Sequence, residues 1–255
     1  MARKHYAKDS GAIRNAAERL LANIRFASMD SRISSVVITS SMPDEGKSTV
    51  ALSLATAIAK SGKTVLLVEC DMRRRTLAGR VGAHPKAGLY AVLAEQAKLT
   101  EAAVPLSPAG LYLLDAEPSI PSPSDLLASN RFQKLHVQMK ETYDYVVMDT
   151  PPVGAFVDAA VVASHADATV LVVREGFARR ENVASAVEQL KKADANVIGV
   201  CMNYCDYTGS SYYGYEKYLS GKGSSSYKDE QAAQASRVAS PRGGSAGYQG
   251  KRFSS

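Results

Sequence analysis

Three stretches of the chain, TVLLVEC (64–70), YDYVVMD (143–149) and ATVLVVR (168–174), are apolar at consecutive positions. A strand with one wet face would alternate apolar and polar residues. An unbroken run needs cover on both faces, the situation of a parallel sheet between two layers of helix. SSVVITS (34–40) and NVIGVCMN (196–203) share the β-branched character, and LYLLDA (111–116) is a weaker strand. Helical patterns separate these runs. Residues 10–28 place Ile13, Leu20, Leu21, Ile24 and Phe26 on an imperfect apolar face. KSTVALSLATAIAKSG spaces Val50, Leu54 and Ile58 four apart and is stopped by Gly62. SDLLASNRFQKLHVQMKETY (124–143) reads as one helix opened by Ser124. Another helix precedes residue 168, and RENVASAVEQLKKA (180–193) is the last. The alternation predicts an α/β fold with a mainly parallel sheet flanked by helices.

The junction after the first strand narrows that class. SSMPDEGKST (40–49) leads directly into a helix and carries Gly46-Lys47-Ser48. In a strand–loop–helix frame this reads as the P-loop of an NTPase. Gly46 lets the backbone approach a phosphate, Lys47 sets a cation against the β- and γ-phosphates, and the Ser48 hydroxyl is a ligand for Mg²⁺. The helix N-terminus adds its positive dipole end. Asp44, Glu45, Gly46, Lys47, Ser48 and Thr49 are therefore the expected lining of the nucleotide site. The leading glycine of the motif is replaced by Ser41.

Two more acidic strand ends fall at the same edge. Asp149 closes YVVMD, where a carboxylate faces the crevice beyond the sheet and can hold Mg²⁺ through water; capping the next segment is the plainer alternative. Glu69 and Asp71 sit two apart at the end of another strand. They can divide metal binding and proton acceptance between them, or pair with Arg73, Arg74 or Arg75 just beyond; spacing does not decide between these.

Composition bounds the rest. In 255 residues, 45% are hydrophobic and 22% charged, enough for one large core. The net charge is +6, and from Gly209 onward seven basic and three acidic residues carry four of those charges. The main domain is thus near neutral, which argues against a nucleic-acid groove. Cys70, Cys201 and Cys205 form no CxxC pair and the four histidines are scattered, so neither a zinc site nor a disulfide framework is expected. MARKHYAKDSGAIRN has no signal-peptide core, and no apolar run approaches the roughly 20 residues that span a bilayer. The expected location is the cytoplasm.

From Tyr204 the periodicity ends. YCDYTGSSYYGYEKY (204–218) holds six of thirteen tyrosines, and Tyr227 and Tyr248 follow in a Ser/Gly-rich stretch. Such composition predicts a flexible tail. The division expected is an N-terminal helix over 1–30, a P-loop domain over 31–205 and a tail over 206–255.

The P-loop, the acidic pair before MRRR, MDTPP and the C-terminal tyrosine cluster together resemble the bacterial tyrosine kinases of capsule and exopolysaccharide synthesis, over roughly residues 10–220. The related ParA/MinD ATPases share DTPP but carry an extra lysine early in the loop, where this chain has Ser-Met-Pro. The resemblance implies that Lys47, Glu69, Asp71 and Asp149 are catalytic, with ATP as phosphoryl donor. Ser48, Asp71 and Asp149 would hold Mg²⁺, and Asn203 would lie near the adenine, although a turn-forming role fits Asn203 almost as well. Glu69 stands where the family has an aspartate acting as base, one methylene longer. The tail tyrosines Tyr204, Tyr207, Tyr212, Tyr213, Tyr215, Tyr218 and Tyr227 become phosphoacceptors, each gaining about −1.5 to −2 charges.

The resemblance also implies a homo-oligomer with the helix over 1–30 as its oligomerisation element, although the family's ring-motif positions hold Asn15, Glu18 and Leu21, with Arg14 and Arg19 nearby. It implies a membrane-anchored polysaccharide co-polymerase as activator, with peripheral placement at the inner face of the membrane. A tyrosine phosphatase and sugar-biosynthesis enzymes would be further partners or clients. Two other classes fit the same residues: a nucleotide-binding regulatory subunit with weak or no kinase activity, and a ParA/MinD-like positioning ATPase.

Overall fold

The computed structural model describes residues 10–28 and 31–205. The elements run in chain order α1 (Ser10–Ala27), β1 (Ser35–Ser40), α2 (Lys47–Lys60), β2 (Val65–Glu69), α3 (Leu77–Val81), α4 (Leu89–Leu93), α5 (Leu99–Ala102), β3 (Val104–Pro105), β4 (Leu111–Leu114), α6 (Pro123–Leu127), α7 (Asn130–Thr142), β5 (Tyr145–Asp149), α8 (Asp158–Ala163), β6 (Ala168–Arg174), α9 (Arg180–Lys192) and β7 (Val197–Asn203). The seven strands lie in the order β3-β4-β2-β5-β1-β6-β7, and only the two-residue β3 runs antiparallel to its neighbour.

The unbroken apolar runs are explained by two cores, one on each face of the sheet. Val37, Leu66, Val68, Val146, Met148 and Leu171 point to one side, against Phe132, Leu135 and Met139 of α7, Val162 of α8 and Leu190 of α9. Their chain neighbours Val36, Ile38, Leu67, Val147 and Val170 point to the other, against α1 and α2. Every residue of β1, β2, and all but the first or last of β5 and β6, is accordingly buried.

Two sequence-based expectations are corrected. The helix over 124–143 is two helices, α6 and α7, because Ser129 breaks the run and caps the second: its hydroxyl accepts from the Phe132 amide at 3.2 Å and donates to the Leu126 carbonyl at 2.6 Å. The buried stripe of α1 is Ala17, Leu21 and Ile24, packed with Leu54 and Ile58, whereas Phe26 is 70% exposed. Of the ring-motif positions, Leu21 is therefore committed to this core. Glu18 pairs with Arg14 at 3.9 Å on the surface. Among the described residues no helix is long and apolar enough to cross a membrane. The tail assigned to 206–255, with Tyr207 and every later tyrosine, lies outside the described residues.

Candidate nucleotide site

Because the strands around β1 are parallel, the ends of β1, β2, β5, β6 and β7 meet at one edge, and the chemistry-bearing residues meet with them. The loop after β1 turns into α2 through Gly46, whose φ of 90° is in the left-handed region. A Cβ at Gly46 would also collide with the side-chain amide of Asn203 and meet the Tyr204 ring at 3.2 Å. Glycine is needed there for conformation and for space.

Lys47 opens α2 and points to the end of β2: its Nζ lies 3.0 Å from an Asp71 carboxylate oxygen. Burial alone would lower the Lys47 pKa, but the carboxylates of Asp149, Asp71 and Glu69 more than offset it and raise it. Asp149 is fully buried, and neither of its oxygens has a hydrogen-bond partner. Burial raises its pKa. Lys47 and the nearby Ser48 hydroxyl draw it back down, although Ser48 does not reach it in strict hydrogen-bond geometry. A buried carboxylate with two open oxygens, beside a serine hydroxyl and one further aspartate, fits Mg²⁺, which takes one or two carboxylates and fills the rest of its shell with phosphate and water. It does not fit an all-protein cage, and among the described residues no three acidic, histidine or cysteine side chains converge as one.

Glu69 and Asp71 have different partners, and neither makes a salt bridge to the arginine run. Asp71 faces Lys47 and accepts from the Arg74 amide at 2.9 Å. Glu69, 0% exposed, accepts from the amides of Thr76 at 2.8 Å, Leu77 at 3.0 Å and Asp71 at 3.2 Å, closing the loop after β2. It lies in register with Asp149 on β5. Burial, then the Asp149 charge, raises its pKa. The arginines bind elsewhere: Arg73 to buried Asp158 at 3.3 Å, Arg74 to Asp44 at 3.1 Å, Arg75 to Asp115 at 3.2 Å.

The remaining loop residues divide between lining and support. Asp44 is exposed on the loop tip and linked to Arg74. Glu45 is fully buried; it accepts from the Ser41 hydroxyl at 2.9 Å, the Met42 amide at 2.7 Å and the Arg174 amide at 3.2 Å. Its side chain is thus bound within the loop and to β6. Ser41, in place of the usual glycine, supplies one of those donors, and Gly154 gives its carbonyl room, since a Cβ there would collide with it. Thr49 accepts from Arg80 at 3.1 Å. Asn203 donates to the Glu45 carbonyl at 2.9 Å, tying β7 to the loop.

The sequence reading missed Thr76, whose hydroxyl reaches Ser48 at 3.3 Å, and Arg80, whose charge bears on Asp149. It also gave Arg174 no role, although Arg174 lies at the end of β6 with Phe177 and Tyr204 rings on it. Only the strand-end position of Arg174 was visible in the sequence.

The match to known proteins follows this frame. Residues 35–198 match the model of the AAA domain family. The chain is 37% identical over 193 residues to the tyrosine-protein kinase YwqD of Bacillus subtilis, covering 76% of this chain and 81% of that one. It is 33% identical over 201 residues to the tyrosine-protein kinase wzc of Salmonella typhimurium, covering 78% of this chain but only 28% of that longer protein. Among solved structures, the kinase domain of the Escherichia coli tyrosine kinase ETK superposes with a TM-score of 0.72 at 30% identity, over 77% of this chain and 78% of that one. With the P-loop lysine, the β2 acids and the β5 aspartate all assembled at one sheet edge, the chain belongs to the bacterial tyrosine-protein kinases.

Proposed function

We propose that this chain transfers the terminal phosphoryl group of ATP to protein tyrosine, and does so in trans on the tyrosine cluster of a second copy's tail. The observation that carries the reading is the Lys47–Asp71 contact beside the partnerless buried carboxylate of Asp149. In this reading the amides of Gly46–Thr49 and the Lys47 ammonium bind the phosphates. Ser48, Asp71 and Asp149 would hold Mg²⁺, which would neutralise charge on the transferring group. The phenol oxygen forms the new bond to phosphorus as the bond to ADP breaks, and its proton passes to Glu69, whose raised proton affinity suits a base. Asn203 borders the base. Tyr207, Tyr212, Tyr213, Tyr215, Tyr218 and Tyr227 are the acceptors.

The proposed setting is a homo-oligomer at the inner face of the membrane, activated by a membrane-anchored polysaccharide co-polymerase and controlling capsular or exopolysaccharide synthesis or export. A tyrosine phosphatase and sugar-biosynthesis enzymes are further partners. A second reading, a regulatory subunit that binds nucleotide with little transfer, has one observation in its favour: both Glu69 oxygens already accept backbone amides.

Incubation with ATP, Mg²⁺ and the partner's cytosolic segment, followed by anti-phosphotyrosine blotting and phosphate release, separates the readings. Phosphotyrosine that disappears in the tail Tyr→Phe variant and in Lys47→Met supports the kinase. Nucleotide binding with neither product supports the regulatory subunit. Undiminished signal in the Tyr→Phe variant overturns the tail as substrate.

A further inference from the structure

The first tyrosine of the cluster, Tyr204, is half-exposed yet fastened to the end of the sheet. Tyr204 follows β7 directly, with φ at 58°, a conformation that costs a non-glycine residue and persists where its surroundings fix it. Several contacts surround that turn. The Tyr204 amide donates to the Asn203 side-chain oxygen at 2.9 Å, and the Asn203 side-chain nitrogen donates to the Glu45 carbonyl at 2.9 Å. The Tyr204 ring stands over the Arg174 guanidinium at 4.5 Å, and Phe177 stands over the same guanidinium at 4.9 Å. The Arg174 amide in turn donates to the Glu45 carboxylate at 3.2 Å. The ring edge lies so close to Gly46 that a single added carbon there would touch it at 3.2 Å.

The root of the tail and the phosphate loop therefore share one set of fastenings. Glu45 is the common point: its carboxylate holds β6 and its carbonyl holds β7. An aromatic face on a guanidinium is attractive, more so where water is partly excluded. Here it fixes the ring against the one loop residue that has no side chain.

From this geometry we infer that Tyr204 is a positioning residue for the P-loop: its ring, held on Arg174, braces the loop at Gly46, a role distinct from that of the acceptor tyrosines that follow it. The inference rests on the nucleotide reading only for its catalytic consequence. The bracing itself is a property of the protein without ligand.

The role belongs to the aromatic face and not to the hydroxyl, so Tyr204→Phe retains it and Tyr204→Ala loses it. Hydrogen exchange on the full chain without nucleotide reads this directly. In Tyr204→Ala, amides of residues 42–47 exchange about tenfold faster, while those of β2 and β5 are unchanged and the unfolding midpoint shifts little. Tyr204→Phe exchanges as wild type. Arg174→Gln, which removes the guanidinium but keeps the backbone donor to Glu45, matches Tyr204→Ala. Titration with Mg²⁺ and a non-hydrolysable ATP analogue then shows weaker binding by about tenfold in Tyr204→Ala and Arg174→Gln, and wild-type binding in Tyr204→Phe. Unchanged exchange of 42–47 in Tyr204→Ala overturns the proposal. So does Tyr204→Phe behaving like Tyr204→Ala. Absence of analogue binding by the wild-type chain sinks the nucleotide reading instead, and leaves the exchange result to judge the brace.

Discussion

The Lys47 ammonium and an Asp71 carboxylate oxygen stand 3.0 Å apart, with side chains 12% and 4% exposed. The ammonium is thus already paired within the protein, and its partner is an acid on the neighbouring loop. Removing one member of a buried pair leaves the other charge without compensation. Lys47→Met is expected to lower stability by about 1–3 kcal/mol in the ligand-free protein and to abolish binding of a Mg²⁺–ATP analogue. Adding Asp71→Asn to Lys47→Met restores most of the stability and none of the binding. Urea unfolding with and without nucleotide checks both, and a Lys47→Met protein as stable as wild type would contradict the account.

Gly46 faces a collision and a conformational demand at once, and the two can be separated. Gly46→Ala forces a Cβ into the Asn203 amide at a φ of 90°, with an expected loss of about 2 kcal/mol. Displacement of the loop is expected to cost phosphotransfer about 100-fold. In the Gly46→Ala/Asn203→Ala protein the collision with the Asn203 amide is gone, but the backbone strain, the close approach to Tyr204 and the loss of the two Asn203 hydrogen bonds remain, so only a minor part of the stability returns. Thermal unfolding of the two proteins reads the difference.

Glu69 separates fastening from proton transfer. Its two oxygens serve three amides, so Glu69→Ala is expected to destabilise by about 2–4 kcal/mol, whereas Glu69→Gln keeps one acceptor but turns its NH₂ toward an N–H donor and costs about 1–2 kcal/mol. If the phenol proton goes to Glu69, Glu69→Gln loses roughly 100-fold in transfer with nucleotide affinity intact. The pH dependence has a defined sign. A carboxyl whose folded pKa is raised favours folding below its unfolded pKa and loses that contribution as pH rises through the folded value. Wild type should therefore weaken as pH climbs above the ordinary carboxylate range, and Glu69→Gln should show a smaller slope. Identical slopes would place the titration elsewhere.

Much of this site was legible because its parts sit at strand ends, and strand ends are where unbroken apolar runs stop. Lys47, Asp71 and Asp149 could be placed at one edge from the alternation alone, since parallel strands bring like ends together. Side-chain partners were not legible. A spacing of two between Glu69 and Asp71 says which face of a strand they occupy only while the strand continues, and β2 ends at Glu69. The loop beyond then folds back and offers its amides to Glu69. Spacing equally cannot reveal that Ser129 caps α7, because its hydroxyl bond depends on a local turn within an otherwise helical pattern. The short elements α3, α4 and α5 carry too few turns for periodicity to emerge. Tyr204 read as the first of the tail tyrosines because its cation partner, Arg174, comes from the end of β6, far away in sequence.

A second pH response of opposite sign is expected at the other end of the sheet. His136 on α7 is 4% exposed, its Nε2 has no hydrogen-bond partner, and burial, then the Lys140 charge, lowers its pKa to about 4; Asp167 opposes this and His165 adds to it. A base whose folded pKa lies below its unfolded value contributes fully above the unfolded value near 6.5 and loses that contribution as pH falls toward 4. The loss is on the order of 3 kcal/mol by the acid end of that window. His136→Leu fills the same apolar position without a titrating group, so its stability should vary far less between pH 7 and pH 5. Urea midpoints for the two proteins at those two pH values test it. Parallel curves would mean that the imidazole is protonated as readily in the folded chain as in the unfolded one, and that the cavity formed by Arg32, Ser34, His136, Lys140 and His165 admits water to the ring.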